Sequence, residues 1–216
     1  MASACIAIFA GPSLPLGDRS ADPRLTFFAP AARGDVLRAA NDFEAILLID
    51  GVFHERLAPT PKEIRAVCAR RRFFGAASMG ALRATECRPY GARGIGAIAG
   101  WYAHEVIDGD DEVAVLMHPQ SFAALSVPSV NVRHVARLAV RRGILTRAAA
   151  ADWIAAARFG IYYAERSWSA AVALAHPETR PALAAIAESC GDLKRLDASF
   201  AQRRMLRLLE HRHVAA

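Results

Sequence analysis

Phe73-Phe74-Gly75-Ala76-Ala77-Ser78-Met79-Gly80-Ala81-Leu82-Arg83 is the stretch on which the fold turns. It follows a basic run, Arg70-Arg71-Arg72, and runs on into Ala84-Thr85-Glu86, a string of good helix formers. The order predicts a strand, a tight turn of very small residues, and a helix that starts near Ser78. Such a turn lifts a hydroxyl to the carboxyl edge of a sheet, beside the free N–H groups of the helix start. An acyl-transfer nucleophile or an anion site needs that geometry. Close packing of small residues, with Ser78 as an ordinary N-cap, is the competing explanation and carries about equal weight.

Working outward, Cys5-Ile6-Ala7-Ile8-Phe9 is a short apolar run closed by Gly11-Pro12-Ser13, which reads as a buried strand. Leu25-Thr26-Phe27-Phe28 is a second strand candidate, and Arg33-Gly34-Asp35 then leads into a helix through Ala40. Ala45-Ile46-Leu47-Leu48-Ile49 is the clearest strand, stopped by Asp50-Gly51, and Pro61 suits the first turn of a helix through Cys68. Val113-Ala114-Val115-Leu116-Met117 reads as the fifth strand. Strands alternating with helices predict an α/β fold, an open, mostly parallel sheet of about five strands with flanking helices. Continuous apolar strands suit a sheet covered on both faces. In such sheets functional groups collect beyond the carboxyl ends of the strands, where Ser13, Arg33, Asp50 and Ser78 all fall.

From Pro119 the chain is Ala-rich and helix-forming, with helices expected near 131–142, 146–158, 161–175, 178–190 and 192–212. The expected organisation is an α/β core over residues 1–119 and an all-helical C-terminal subdomain over 120–216. Trp153, Trp168, Tyr162 and Tyr163 read as core residues of that region. The net charge of +6 is carried almost wholly by arginine, since Lys62 and Lys194 are the only lysines. That balance reads as coding composition rather than nucleic-acid binding, and Arg133, Arg137, Arg141 and Arg142 as a solvated helix face. Cys5, Cys68, Cys87 and Cys190 are scattered, which supports neither a disulfide framework nor a zinc site. No stretch has the ~18 apolar residues that cross a bilayer. A soluble, cytoplasmic protein is expected.

Four segments in order, Phe9–Leu14, Pro30–Asp35, Leu48–Phe53 and Phe74–Arg83, followed by Asp108-Gly109-Asp110-Asp111-Glu112-Val113-Ala114, resemble the TfuA-like core domain over roughly residues 4–120. The resemblance implies a partner of a YcaO enzyme in backbone thioamidation of peptides or proteins. In that role the TfuA protein releases sulfur from a thiocarboxylated ThiS-like carrier, and YcaO activates the amide with ATP and installs the sulfur. A precursor peptide is a further implied partner, as in trifolitoxin-type antibiotic clusters. Where the family tends to have His-Lys-Glu-Ile, this chain reads Pro61-Lys62-Glu63-Ile64. The missing histidine leaves the general base open, with His54 nearby as a substitute.

Cleaving a thiocarboxylate is acyl transfer, so the candidate roles follow from that chemistry. Ser78 is the nucleophile, with the N–H groups of Met79 and Gly80 as the oxyanion hole. Ser13 is a substrate-binding candidate by its position, and Arg33 or Arg83 would hold the anionic terminus with a planar fork. Lys62, the one lysine of the core, is the candidate base, since a desolvated lysine can accept a proton and an arginine cannot. Asp50 and Glu63 would orient it or activate water directly. The Asp108–Glu112 carboxylates lack the full calcium-loop pattern, so neither a metal nor another cofactor is expected. Two other functions compete with the hydrolase, a non-catalytic scaffold for YcaO and a small-anion binder using the turns at Gly11 and Gly75.

Overall fold

In a computed structural model of the chain, residues 5–52 and 58–213 are described, the side chains of 211–213 excepted. Five short strands form one sheet: β1 (Ile6–Phe9), β2 (Leu25–Phe28), β3 (Ala45–Leu48), β4 (Arg72–Ala76) and β5 (Arg93–Ile95). Their spatial order is β2-β1-β3-β4-β5 and every pairing is parallel. The chain steps from β1 outward to β2, then returns past β1 to β3, so the order reverses between β1 and β3. Open α/β sheets place their ligand crevice at that reversal.

Side chains alternate between the two faces along the strands, and each face has its own helix layer. Ala7, Phe9, Ile46, Leu48 and Phe73 face α1 (Asp35–Asp42), α2 (Pro61–Cys68) and α3 (Met79–Glu86), through Val36, Ala40, Ile64, Val67, Met79 and Ala84. Ile6, Ile8, Leu47, Phe74 and Ala76 form the opposite core. No α-helix lies between β1 and β2, so that crossover contributes Ala10 and Leu14 to the second face but no helix layer. The cover comes from the far end of the chain: Ala198, Ala201, Met205 and Leu209 of α9 (Leu193–His213) complete this core. Full burial of each large aliphatic side chain in these two layers is worth roughly 1.5–3 kcal/mol. The chain accordingly divides into a sheet unit of Met1–Asp108 with Arg195–Ala216, and a helical unit of Gly109–Lys194.

Local sequence accounts for the helix starts. Pro61 opens α2 behind Thr60, whose side chain accepts from the Glu63 N–H while Glu63 accepts from the Thr60 N–H at 2.7 Å, a capping box. The fifth strand is not where the apolar run Val113–Met117 predicts it. Asp110–Glu112 form a 3-10 turn, and the Val113 and Ala114 N–H groups bond back to the Asp110 carbonyl, which bends the chain out of a strand. The edge position goes instead to Arg93–Ile95, two of whose three residues are exposed, and α4 (Ala97–Ala103) follows it.

The helical unit packs α5 (Ser129–Arg141), α6 (Arg147–Phe159), α7 (Trp168–Ala173) and α8 (Arg180–Cys190) around Val132, Val135, Trp153, Leu183 and Ile186. Trp153 is in that core, its indole N–H bonded to the Ala171 carbonyl at 2.7 Å. The expected helix over 161–175 is cut back to Trp168–Ala173, because the chain before it wraps a buried arginine. Arg166 donates to the carbonyls of Ala157, Val127, Arg158 and Ile161. The acidic cluster is tied up close by. Glu112, fully buried, takes a bidentate pair from Arg133 at 2.6 and 2.9 Å and a third contact from Arg158 at 2.9 Å. Arg158 also pairs with Asp111, holding that carboxyl below its ordinary value. Its stabilising effect is present at neutral pH and is lost as the pH falls through that lowered value.

Removing one partner of a buried pair strands the other charge. Glu112→Gln is therefore expected to destabilise the helical unit by about 3 kcal/mol, at the low end because Arg133 keeps some access to water. Urea unfolding followed by tryptophan fluorescence measures this, since Trp153 and Trp168 both lie in that unit.

Candidate active site at the carboxyl edge of the sheet

Asp50 stands one residue past Ile49, at the reversal between β1 and β3, and is almost wholly buried. Its carboxylate reaches across to the loop after β1. It accepts the N–H of Gly11 at 2.8 Å, the N–H of Ser13 at 3.0 Å and the hydroxyl of Ser13 at 2.7 Å. The two N–H groups that could have cradled an anion are thus satisfied from within. Asp50 and Ser13 brace the switch point, and the Ser13 hydroxyl is spent in doing so. Arg19 extends the brace, donating to the carbonyls of Leu14 at 3.2 Å and Ala10 at 3.0 Å and lying over the Phe27 ring. Burial lowers its pKa, and the negative charge of Asp50 works in the opposite direction. Nothing in the sequence singles out Arg19, because its partners are backbone atoms of a loop.

The turn between β4 and α3 is built differently. Ala77 has φ 61, a left-handed conformation in a residue other than glycine, and the Ser78 N–H bonds to the Ala76 carbonyl at 2.7 Å. An i to i+2 bond around a positive φ is the rare, strained form of γ-turn. The strained residue thus directly precedes the serine. Ser78, 3 % exposed, is the N-cap of α3, yet its hydroxyl makes no capping bond to the helix. Its oxygen is therefore not committed to holding α3.

Close approach of backbones fixes this turn in place. A Cβ on Gly80 would lie 1.8 Å from the Leu48 carbonyl oxygen, and one on Gly75 would lie 1.9 Å from the Gly80 carbonyl oxygen. The first turn of α3 therefore rests directly on the ends of β3 and β4. The Gly80 N–H donates to the Ile49 carbonyl at 3.0 Å, so it is occupied and cannot serve as an oxyanion donor. The Met79 N–H, first in the helix, has no intrahelical carbonyl to meet, and it is the remaining donor of the expected pair.

The other candidates separate from this turn. Lys62 is exposed on the first turn of α2, without the desolvation that makes a lysine a base. Glu63 is buried, and both its oxygens are engaged, one with Thr60 and the other with the N–H of Gly34 ahead of α1. Arg33 is exposed. Arg83 is held by the Pro59 carbonyl and by Glu86, each at 2.6 Å, and sits near the far end of α3 from Ser78. His54 and Phe53 lie outside the described residues. Burial pushes the thiols of Cys68 and Cys87 up, that of Cys87 to about 11, so neither competes as a thiolate nucleophile at neutral pH. Among the described residues no three His, Cys, Asp or Glu side chains gather as a metal ion would require. Among them, too, no helix is long and apolar enough to cross a membrane.

Comparison with known proteins adds one finding. None of the curated proteins matches the chain. The TfuA-like protein family, in contrast, matches residues 50–167, more than half of the chain. The match begins at the buried Asp50, takes in Ser78, Arg83 and the Asp108–Glu112 cluster, and continues through α5 and α6. It thus reaches further into the helices than the resemblance over residues 4–120, and does not include Phe9–Leu14 or Pro30–Asp35. On this match, the chain belongs to the TfuA-like protein family.

Proposed function

We propose that this chain works beside a YcaO enzyme in backbone thioamidation, in the cytoplasm, by hydrolysing the thiocarboxylate of a ThiS-like carrier at the β4–α3 turn. The single observation that carries the reading is Ser78, set behind a strained γ-turn at the start of α3 with its hydroxyl uncommitted to the helix. Membership of the family supports the partnership. The chemistry closes without a dedicated base. Ser78 Oγ attacks the thiocarboxylate carbon, the C–S bond breaks, and the departing sulfur takes the serine proton to leave as hydrosulfide. Water then cleaves the resulting ester, giving the carrier carboxylate, a proton and free Ser78. The Met79 N–H and the partial positive charge of the α3 start favour the developing oxyanion.

A second reading, a non-catalytic scaffold for YcaO and its precursor peptide, also draws on a specific observation. Asp50 and Glu63 have their oxygens engaged and Lys62 is exposed, so none of these candidates is a free, desolvated base. The two readings part in one assay. The purified chain alone, given a thiocarboxylated ThiS-like carrier, is expected to release sulfide in step with conversion of the carrier to its carboxylate. Sulfide that appears only when the YcaO enzyme is added would favour the scaffold.

A further inference from the structure

The outward face of α9 is the least explained surface of the sheet unit. Ala198, Ala201, Met205 and Leu209 turn inward to the sheet, so residues half a turn away face out. On that outer face stand Leu196 (52 % exposed) and Phe200 (45 %), followed by the exposed Arg203, Arg204 and Arg207. From Leu196 to Arg207 the face runs about 16 Å, apolar at its start and basic beyond, with the exposed Glu210 at its far end.

The apolar end is tied to the segments that follow β1 and β5 at the carboxyl edge of the sheet. On the inward side of α9, Asp197 accepts the N–H groups of Ala97 and Ile98, just past the carboxyl end of β5, at 2.9 and 2.7 Å. Gln202 accepts from the Ser20 N–H and donates to the Asp18 carbonyl, and Arg195 pairs with the Asp18 carboxylate. These bonds fasten the 3-10 turn Leu16–Asp18 to α9, and in that turn Leu16 is 79 % exposed. Leu16 is three residues on from Ser13, within about 11 Å along the chain.

We propose that Leu16, Leu196, Phe200 and the arginines of α9 form the docking surface for an acidic carrier protein whose C-terminal tail then reaches Ser78. The inference rests on the hydrolase reading for its occupant, and on charge complementarity for its chemistry. Apolar anchors hold the carrier at the carboxyl edge while Arg203, Arg204 and Arg207 attract its acidic surface, raising the association rate and fixing its direction. The carrier body lies along α9 and its tail extends over the β1 and β4 turns.

Binding of the ThiS-like carrier to the full chain, read by fluorescence anisotropy at several salt concentrations, tests this apart from catalysis. The combined substitution Leu196→Ser and Phe200→Ser, and separately Arg203→Glu with Arg207→Glu, should each weaken binding about tenfold or more. The charge-reversed chain should also lose most of the salt dependence. In turnover, KM for the carrier should rise with kcat unchanged, and cleavage of thioacetate should be unaffected. Carrier binding with this sensitivity but without sulfide release would sink the hydrolase reading and leave the docking surface standing. The docking surface is overturned if the parent chain does not bind the carrier, or if both variants bind it as the parent does. It is equally overturned if the substitutions abolish binding to phosphatidylserine vesicles and leave carrier binding intact.

Discussion

Gly80→Ala should unfold the sheet unit or leave it destabilised by about 4 kcal/mol or more, an exceptional value for a single methyl group. The added Cβ would meet the Leu48 carbonyl oxygen at 1.8 Å and its carbon at 2.5 Å. Both are backbone atoms of a central strand, so no flexible side chain can move aside. Relief requires α3 to lift from β3, which would also break the Gly80 N–H bond to the Ile49 carbonyl and open the layer that buries Met79 and Ala84. Ordinary overpacking costs about 1–3 kcal/mol because side chains share the displacement, and that route is closed here. Gly91→Ala is the control: its φ of 97 adds strain, but a Cβ there meets nothing within 4 Å. Thermal melts should show a small loss for Gly91→Ala and a collapse for Gly80→Ala. Comparable melting temperatures would mean that α3 is not seated as closely as the backbone distances imply.

The parallel architecture was legible because its central strands are buried on both faces, and such strands announce themselves as unbroken apolar runs at Ile6–Phe9 and Ala45–Leu48. The start of α2 was equally plain, since Pro61 suits a first helical turn, and the helix does begin there. β5 was not legible. Arg93-Gly94-Ile95 is an edge strand with one half-buried residue, and its place depends on pairing with Phe74–Ala76 rather than on its own composition. Val113–Met117 has the better strand composition, but backbone bonds to Asp110 turn it away. α9 could be read as a helix, yet which face of the sheet it covers depends on the missing helix between β1 and β2, a non-local vacancy. At the site, sequence placed Ser13, Asp50 and Ser78 at one edge of the sheet, and that is where they lie. It could not tell that Asp50 spends its oxygens on the N–H groups of Gly11 and Ser13 and on the Ser13 hydroxyl, or that Glu63 gives one of its own to the Gly34 N–H. Nor could it tell that the Gly80 N–H would be taken by Ile49, because each of these bonds joins residues fixed only by the fold.

Ser78→Ala should lower sulfide release from the thiocarboxylated carrier about a thousandfold or more, as loss of a nucleophile does, while the melting temperature stays within a few degrees. The structure makes this substitution unusually clean. A serine that caps a helix through its side chain contributes about 1 kcal/mol, but Ser78 makes no capping bond, so alanine removes a hydroxyl and leaves α3 and the γ-turn in place. Stability and activity are thereby uncoupled. If the role of Ser78 were structural, its loss would appear in the melt before it appeared in turnover. Asp50 offers no such separation, since its removal leaves the N–H groups of Gly11 and Ser13 without a partner. Carrier affinity, measured in the same preparations, should be unchanged in Ser78→Ala, so that the defect falls on kcat. The rival mechanism has water attack the thiocarboxylate directly, with the α3 start stabilising the oxyanion. In that case Ser78→Ala would keep near-parent sulfide release, and mass spectrometry of the parent chain would find no acyl-enzyme during turnover. An ester on Ser78 trapped by acid quench from the parent, absent from Ser78→Ala and paired with the loss of turnover, is the result that the nucleophile assignment requires.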